Sequence, residues 1–228
     1  MLYDEKAVRE GLRNREGRRV FYLGRGDQLT SAARDWLGRE RIDILPAEKA
    51  KPPVFRLLSG GVIDKKPEHM THLNGDVLVP KDHPRIRFRG KLDTLESELL
   101  LCQLEAPETA PRVQEILDLA RKIIRWEVLE EPAEAGTLCG LTPEQQREIS
   151  HFPQKTLGIP HFMPEKADGT AILRLNRARC AAREAELAAV TAFRDREGNP
   201  TRSDLLRLLN RMSSMLYILM LERKAGTL

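Results

Sequence analysis

Two arginines and a glutamate share one face of a predicted helix, at the spacing i, i+4 and i+7. They are Arg179, Arg183 and Glu186. Two guanidinium groups one turn apart can clamp a triphosphate, or they can form ion pairs with a neighbouring helix. Asp93, four residues after Arg89 on an earlier predicted helix, supplies a carboxylate for such a pair. The spacing alone leaves open both a phosphate clamp and a solvated, ion-paired face.

A polar segment earlier in the chain carries a hydroxyl, an amide, a glycine and, a few residues later, a lysine. These residues are Thr71, Asn74, Gly75 and Lys81. Backbone amides at a flexible glycine, together with hydroxyl and ammonium donors, can cradle a polyphosphate. The same residues are also typical of a solvated turn before a short strand, and composition alone favours that interpretation.

A polar stripe follows the apolar face of the last predicted helix, at Asn210, Ser213 and Tyr217. Polar side chains that are buried in a helical bundle require hydrogen-bond partners. A bound ligand or a neighbouring helix can supply them, so the stripe marks either a ligand site or an interhelical contact.

Several motifs with established chemistry are absent from the sequence. There is no GxxxxGK[ST] phosphate loop, no HExxH zinc motif and no GxSxG nucleophile motif. The isolated Gly24-Arg-Gly26 predicts a turn rather than a phosphate site. The three cysteines form no CxxC pair, so we expect reduced thiols and no thiolate zinc site. The histidines are scattered, with His69 and His72 the nearest pair, and we assign no metal-ligating residue.

The composition is typical of a folded protein with a salt-bridged helical surface. Hydrophobic residues make up 41% and charged residues 32% of the 228 residues, and 38 Lys and Arg nearly balance 34 Asp and Glu. A dedicated nucleic-acid binder more often has a lopsided charge and more aromatic residues than the 5% found here. We find neither an apolar leader nor a segment long enough to span a bilayer. We therefore expect a soluble, cytoplasmic protein that binds neither nucleic acid nor a membrane.

The elements that must position these residues fall into two regions. Residues 1–62 predict a helix over 7–15, a strand over 19–23, a helix opened by the Thr30 hydroxyl and a second apolar run at 42–45. Residues 49–53 and 59–61 are rich in Lys, Pro and Gly and predict a linker. We expect a small N-terminal α/β module over 1–62 and a second domain over 63–228.

Residues 63–228 predict four long amphipathic helices and a short one. Apolar residues recur at helical spacing over 89–104, 113–124, 170–194 and 203–222, and Thr142-Pro143 opens the shorter helix. In the first of these helices the apolar face is formed by Leu92, Leu95, Leu99 and Leu100. Proline and glycine punctuate 151–169, which predicts an ordered loop. The predicted fold class is mainly α, a five-helix bundle with a small N-terminal α/β appendage.

Three motifs in chain order resemble the PduO-type ATP:cob(I)alamin adenosyltransferases. Residues 79–97, VPKDHPRIRFRGKLDTLES, are similar to the segment that opens the helical bundle of that family. Residues 179–186, RCAAREAE, resemble its Arg-x-x-x-Arg-x-x-Glu helix, and residues 209–217, LNRMSSMLY, resemble its terminal Leu-Asn-Arg-x-Ser motif. The ethanolamine-utilisation (EutT) group gives the closer likeness, through residues 29–37, 66–73, 140–144, 150–153 and 161–164. The resemblance then covers nearly the whole chain.

The chain departs from the pattern of that superfamily at three places. Some members of the EutT group carry a histidine and a Cys-Cys-x-x-Cys cluster that holds a divalent metal, but residues 54–66 of this chain contain no cysteine. Ser214 stands where the PduO type usually has Asp, and Glu184 where it often has a second Arg. Neither substitution removes the paired arginines, whereas the missing cysteines speak against a thiolate-bound metal.

The resemblance implies that the polar segment and the arginine helix bind ATP. Its phosphates, with Mg²⁺, are expected on Thr71, Asn74, Gly75 and Lys81, and the rest of the nucleotide on Arg179, Arg183, Glu186 and Asn210. Members of the family form trimers with ATP at the subunit boundaries. We therefore expect a homotrimer in which Asp93 pairs with Arg179, across a boundary between subunits.

The resemblance also implies a residue that presses on the lower face of cobalt. Phe162 is the expected residue, and His161 or Met163 is the alternative, because the similarity of this loop is loose. Loss of the lower ligand makes Co(II) easier to reduce. The residues to which the resemblance gives a catalytic role are thus Arg179, Arg183, Asp93 and Phe162.

The implied activity is transfer of the 5′-deoxyadenosyl group of ATP to cob(I)alamin, with release of triphosphate. Because Co(I) is itself the nucleophile, the protein must bind, orient and stabilise the leaving group rather than supply a general base. Expected partners are a reductase for cobalt and an adenosylcobalamin-dependent lyase such as ethanolamine ammonia-lyase, with a bacterial microcompartment shell as a further candidate. The alternative is a non-catalytic chaperone that binds cobalamin or ATP on the same bundle.

Overall fold

A computed structural model of the protein describes residues 1–15, 18–47 and 54–227. Its α-helices are α1 (Glu5–Glu10), α2 (Ser31–Arg39), α3 (Pro84–Glu105), α4 (Ala110–Leu129), α5 (Pro143–His151), α6 (Pro153–Leu157), α7 (Gly169–Ala192) and α8 (Ser203–Ala225). Its strands are β1 (Leu2–Tyr3), β2 (Arg13–Arg15), β3 (Arg18–Leu23), β4 (Gln28–Leu29), β5 (Asp43–Pro46), β6 (Phe55–Leu57), β7 (Val62–Ile63), β8 (Met70–Asn74) and β9 (Val77–Pro80). The chain divides into two compact units, Met1–Arg56 with Gly60–Lys65 and Leu57–Ser59 with Lys66–Leu228. The predicted boundary after residue 62 stays a prediction.

The first unit is a small α/β arrangement, as predicted. Strand β3 pairs with β2 in antiparallel and with β5 in parallel orientation, and α1 and α2 bury Val8, Ala33 and Leu37 in its own core. The Thr30 hydroxyl accepts a hydrogen bond from the Ala33 amide and caps α2, as the sequence predicted.

The predicted helix over 7–15 is wrong in its second half. Helix α1 ends at Glu10, and Arg13–Arg15 is a strand that pairs with β3. A side chain at Gly11 would meet the Phe21 ring at 2.9 Å. Only glycine therefore allows the close approach at which the helix ends and the strand begins.

The predicted linker is a hairpin turn where the structure describes it. Strand β6 pairs with β7 through Phe55 opposite Ile63, and Gly60 and Gly61 lie in the turn with φ of +94° and +92°. Both glycines adopt a backbone conformation that side chains disfavour. Residues 49–53 lie outside the described residues.

The second unit is the predicted five-helix bundle, formed by α3, α4, α5, α7 and α8. Ion pairs Lys91–Glu184, Arg177–Glu98 and Arg174–Glu105 join α3 to α7 and show that these two helices are antiparallel. Its core is almost wholly aliphatic. Thr142 and Gln145 form a capping box at the start of α5, where the sequence predicted a hydroxyl cap.

Two details of the bundle differ from the sequence predictions. Leu100, predicted on the apolar face of α3, is 45% exposed, whereas Phe88 and Cys102 complete the buried stripe. The predicted loop over 151–169 contains α6, which begins at Pro153 and ends at Leu157, and Gly158 follows it with φ of +72°. Proline at the first turn and a left-handed glycine at the end fit a single helical turn.

Among the described residues, no helix combines the length and the apolar character needed to cross a membrane.

Candidate functional site

A cavity of about 730 Å³ opens between α7, α8 and the loop that follows α6. Arg179 and Arg183 line it from α7, and Asn210 and Tyr217 line it from α8. Phe162 closes it from the loop. The structure thus brings together residues that the sequence singled out from distant motifs, among them Arg179, Arg183, Asn210 and Phe162.

The two arginines of the cavity have no acidic partner among the described residues. Arg183 is exposed and forms no ion pair or side-chain hydrogen bond among the described residues, and the Arg179 guanidinium carbon lies 5.3 Å from the centroid of the Tyr217 ring. On the same helix, Arg174 and Arg177 are ion-paired with glutamates of α3. The helix therefore carries paired arginines on one face and arginines available to an anion on another.

Three aromatic rings form a stacked wall of the cavity. The His161 and Phe162 rings stack on Tyr217, with centroids 5.9 and 6.3 Å from it and interplanar angles of 9° and 23°. The Lys224 ammonium group lies 5.5 Å from the centroid of Phe162. A planar apolar surface bordered by cations suits a large, flat ligand that carries negative groups.

The loop is fixed to the bundle through both ring nitrogens of His161. Nδ1 lies 3.0 Å from the Tyr217 hydroxyl, and Nε2 lies 3.1 Å from the backbone oxygen of His151. A carbonyl oxygen only accepts, so Nε2 carries the proton, and in the neutral ring Nδ1 accepts from the tyrosine. This arrangement holds the neighbouring Phe162 in its orientation.

The polar stripe of α8 is satisfied largely within the chain. Asn210 Nδ2 donates to Glu186 Oε1 at 3.2 Å, and Ser213 Oγ donates to the Asn210 carbonyl at 2.9 Å. Glu186 is therefore joined to the cavity through Asn210 and does not itself line it. Asn210 is exposed at the cavity, and its side-chain amide oxygen, Oδ1, remains available to a ligand.

Asp93 does not pair with Arg179 within the described chain. It lies exposed on α3. Arg89, at helical spacing from it, instead contacts Glu127 of α4, and Glu96 pairs with Arg121.

The polar segment forms the β8–β9 hairpin, which does not contribute to the cavity. Gly75 lies in its turn with φ of +47°. Asn74 Nδ2 donates to Glu130 Oε1 at 3.3 Å, and Lys81 Nζ donates to Glu68 at 3.1 Å. This hydrogen bond from Lys81 lowers the pKa of Glu68. Thr71 is half-buried within β8, so the four predicted phosphate-binding residues lie on one hairpin but apart from the arginines.

A buried carboxylate that the sequence analysis missed fixes this hairpin. Glu127 is fully buried and pairs with Arg85 and with Arg89, whose Nε lies 2.6 Å from it. Arg89 Nη2 also donates to the Leu73 carbonyl of β8 at 2.7 Å. The signal was present, since Glu127 follows Ile123 by one helical turn on the apolar stripe of α4. A carboxylate in that position requires a cationic partner.

The three cysteine thiols do not come together as a metal site among the described residues. Burial raises the pKa of Cys102 to about 12 and that of Cys139 to about 11, which keeps both protonated. Cys180 lines the cavity beside Arg179. Within the described part of the chain, no three His, Cys, Asp or Glu side chains are grouped so that they could hold a metal ion.

Asn176 is a further cavity residue that the sequence analysis did not name. It precedes Arg179 by three residues on α7, so its position on the arginine face was available from helical spacing. His151 and Ser150 also border the cavity, but no spacing in the sequence joins the end of α5 to α7.

The sequence model of the cobalamin adenosyltransferase family matches residues 62–223. That range covers the β8–β9 hairpin, the bundle up to residue 223 and every residue that lines the cavity. The chain belongs to the cobalamin adenosyltransferase family.

Two curated relatives of this chain are both named corrinoid adenosyltransferase EutT. The corrinoid adenosyltransferase EutT of Salmonella typhimurium strain LT2 is 34% identical over 158 residues, which are 69% of this chain and 59% of that protein. The corrinoid adenosyltransferase EutT of Escherichia coli K12 is 34% identical over 160 residues, 70% of this chain and 60% of that protein. The similarity to the EutT type is confirmed, and this chain spans about three fifths of the length of these relatives.

Proposed function

We propose that this protein is a corrinoid adenosyltransferase that converts ATP and cob(I)alamin to adenosylcobalamin and triphosphate. The electron pair of Co(I) forms the new bond to C5′ of ATP, and the C5′–O bond breaks with its electrons on the departing triphosphate. The protein has to align C5′ with cobalt and to stabilise the charge on the leaving group. No residue need take up a proton in this step.

The observation that carries the proposal is a pair of arginines that have no acidic partner among the described residues. Arg179 and Arg183 face the cavity from adjacent turns of α7, while Arg174 and Arg177 of the same helix are neutralised by α3. Guanidinium groups that remain unpaired beside a cavity of this size are suited to an oligophosphate. We assign them to the triphosphate of ATP, with Asn210 and Glu186 completing the nucleotide site.

The stacked rings supply the second half of the proposed site. A corrin is a large, flat, mostly apolar ligand, and Phe162 presents a ring to the same cavity as the arginines. His161 has both ring nitrogens engaged and Met163 is 88% exposed. These contacts favour Phe162 over its two neighbours as the side chain that presses on the lower face of cobalt.

The hairpin and the arginines are proposed to meet across a subunit boundary of a homotrimer. Thr71, Asn74, Gly75 and Lys81 would then bind phosphates and the accompanying Mg²⁺ from one subunit, opposite the arginines of the next. Two features support this assembly. Asp93 is exposed and has no ion pair among the described residues, and leucines at 100 and 104 of α3 and 187 of α7 are exposed. An exposed carboxylate with apolar neighbours suits a subunit contact that pairs Asp93 with Arg179.

The electron that converts Co(II) to Co(I) must come from outside the chain, so a reductase is a proposed partner. The name of the relatives supports a role in ethanolamine utilisation, with an adenosylcobalamin-dependent lyase as the consumer of the product. Action in the cytoplasm or within a microcompartment is part of the same proposal.

Co-expression of two inactive variants tests the function together with the shared site. Lys81→Ala removes the hairpin ammonium group, and Arg183→Ala removes the clamp. If each site uses the hairpin of one subunit and the arginine of another, random mixed trimers recover about a quarter of the wild-type activity per site. Recovery no greater than the sum of the separate variants would contradict the shared site. If the wild-type protein does not adenosylate cob(I)alamin, the proposed function itself is contradicted.

A further inference from the structure

A second cavity lies in the bundle away from the arginines of the proposed active site. It has a volume of about 530 Å³ and opens between α4, the segment that follows α4, α5 and α8. This volume is within the range of about 300–1,000 Å³ typical of sites for small molecules. None of Arg179, Arg183 and Phe162 lines it.

The second cavity has an excess of positive charge. Lys122, Arg125, Arg207 and Arg211 line it, against two carboxylates, Glu131 and Glu134. Arg125 lies 3.9 Å from Glu131 in an exposed pair. Among the described residues, Lys122, Arg207 and Arg211 form no ion pair, although the charge of Arg211 helps to lower the pKa of Glu144, so the cavity keeps an excess of cations. Such a set is suited to an anion.

Two polar atoms at the second cavity lack hydrogen-bond partners. Gln146 is 1% exposed, and its Nε2 donates to the Leu141 carbonyl at 3.1 Å, but its Oε1 is buried and unpartnered in the described structure. The buried Nε of Arg211 is likewise unpartnered. Buried polar groups are costly when they are unsatisfied. A ligand with both an acidic group and a hydrogen-bond donor would satisfy these two residues.

Trp126 adds a flat apolar surface to the same cavity. It is half-buried against the core of the bundle and lines the cavity from α4, one residue beyond Arg125. An indole beside unpaired arginines can stack with a planar ring while the cations bind a phosphate.

We propose that this second cavity binds a nucleoside phosphate, with the phosphate on Lys122, Arg207 and Arg211 and the base against Trp126. A ring amino group or a ribose hydroxyl would donate to Gln146 Oε1. The site is separate from the proposed adenosyl-transfer site and does not depend on that activity, because its occupancy is measured as binding without any corrinoid.

The chain allows a direct optical test of this site. It contains two tryptophans, Trp36 and Trp126, and Trp36 belongs to the core of the first unit. The variant Trp36→Phe therefore leaves Trp126 as the single indole reporter. Titration of this variant with AMP is expected to change the Trp126 emission in a saturable way, and inorganic phosphate is expected to bind more weakly because it has no ring to stack.

Charge variants in the Trp36→Phe background locate the ligand. The double variant Lys122→Ala, Arg207→Ala removes two exposed cations and is expected to weaken AMP binding by about tenfold or more, since each lost charged hydrogen bond costs about 1.5–3 kcal/mol. Arg121→Ala is the matched control, because Arg121 also projects from α4 but pairs with Glu96 and does not line the cavity. Its affinity for AMP is expected to stay unchanged.

Three results would overturn the proposal. If titration with AMP gives no saturable change in Trp126 emission, the proposed site is excluded. Loss of the effect in Arg183→Ala, but not in the Lys122 and Arg207 double variant, would assign the signal to the first cavity. Inorganic phosphate that binds as tightly as AMP would overturn the assignment to a nucleoside.

Discussion

Arg179 and Arg183 differ from Arg174 and Arg177 of α7 in the face of the helix on which they lie and therefore in their partners. Arg174 and Arg177 are joined to Glu105 and Glu98. The sequence showed the spacing of all four but not which of them would find a carboxylate, because those carboxylates lie on α3. The sequence thus predicted a phosphate clamp as one of two possibilities, and the packing of α3 on α7 favours the clamp.

Replacement of Arg183 by alanine is expected to reduce kcat/KM for adenosylation by about a hundredfold, since a charged hydrogen bond to the leaving group is worth about 1.5–3 kcal/mol. The helical circular dichroism should not change, because Arg183 is exposed and supports no ion pair. The matched control is Arg177→Ala, which breaks an ion pair with α3 outside the cavity. Equal losses of activity in the two variants would contradict the clamp.

Replacement of Phe162 by alanine separates the reduction of cobalt from the transfer step. Because the ring is proposed to displace the lower ligand, adenosylation that starts from Co(II) with a reductant is expected to slow about tenfold or more, equivalent to about 1.4 kcal/mol. Adenosylation that starts from chemically prepared Co(I) should be little affected. The two rates are measured anaerobically by absorbance, and an equal loss in both would show that Phe162 serves only to bind the corrin.

At the scale of elements, the β8–β9 hairpin depends on a carboxylate buried in α4. Glu127 is joined to two arginines at the start of α3, and Arg89 also holds the Leu73 carbonyl of the hairpin. Glu127→Gln leaves Arg89 without its counter-charge and Arg85 with only the exposed Glu130, and is expected to lower the free energy of unfolding by about 3 kcal/mol. It should also raise the KM for ATP, because the hairpin loses its anchor.

Chemical denaturation followed by far-ultraviolet circular dichroism measures the stability of the Glu127 variant. Glu130→Gln is the matched control, since Glu130 binds Asn74 and Arg85 but is 59% exposed in its side chain. It is expected to cost less than about 1 kcal/mol, as exposed ion pairs generally do. Similar costs for the two variants would contradict the role of burial.

Asp204 connects the start of α8 to the segment after α4. Burial acts to raise its pKa, but hydrogen bonds from Arg202 and from the Ala133 and Leu205 amides outweigh burial and hold the pKa at about 2. The folded pKa lies below that of the unfolded chain, so this group stabilises the fold above about pH 4 and ceases to do so as the pH falls through about 2. The contribution at neutral pH is about 2 kcal/mol.

Asp204→Asn is therefore expected to lower the free energy of unfolding by about 2 kcal/mol at pH 7 and by about half as much at pH 3. Denaturant midpoints of the wild type and the variant at the two pH values measure this difference. A difference that does not change with pH would assign the effect to lost packing rather than to the charge of Asp204.

Local signals predicted the starts of the two helices that a threonine caps. Thr30 and Thr142 mark the starts of α2 and α5, as their hydroxyls indicated. Features that depend on distant contacts could not be predicted. Helix α1 ends where Gly11 meets Phe21, and Glu127 selects Arg85 and Arg89 from another helix. Both outcomes require the tertiary packing of residues that are far apart in sequence.

At the scale of the whole molecule, the near balance of 38 positive and 34 negative residues has a structural meaning. Many of these charges join neighbouring helices, as Lys91–Glu184 and Arg121–Glu96 do. The sequence predicted a salt-bridged helical surface but not where cations would remain unpaired. Two groups of such cations line the two cavities, around Arg183 and around Arg207, and they are the basis of both proposals.

The most direct test of the proposed activity is a single-turnover reaction of the wild-type protein with Mg-ATP and chemically reduced cob(I)alamin, without oxygen. We expect the Co(I) spectrum to disappear and a light-sensitive product with a cobalt–carbon bond to form. One triphosphate should be released per adenosyl group transferred. Binding of ATP and corrinoid without a light-sensitive product would contradict it and would instead support a chaperone. Release of phosphate or diphosphate in place of triphosphate would contradict attack at C5′ with triphosphate as the leaving group.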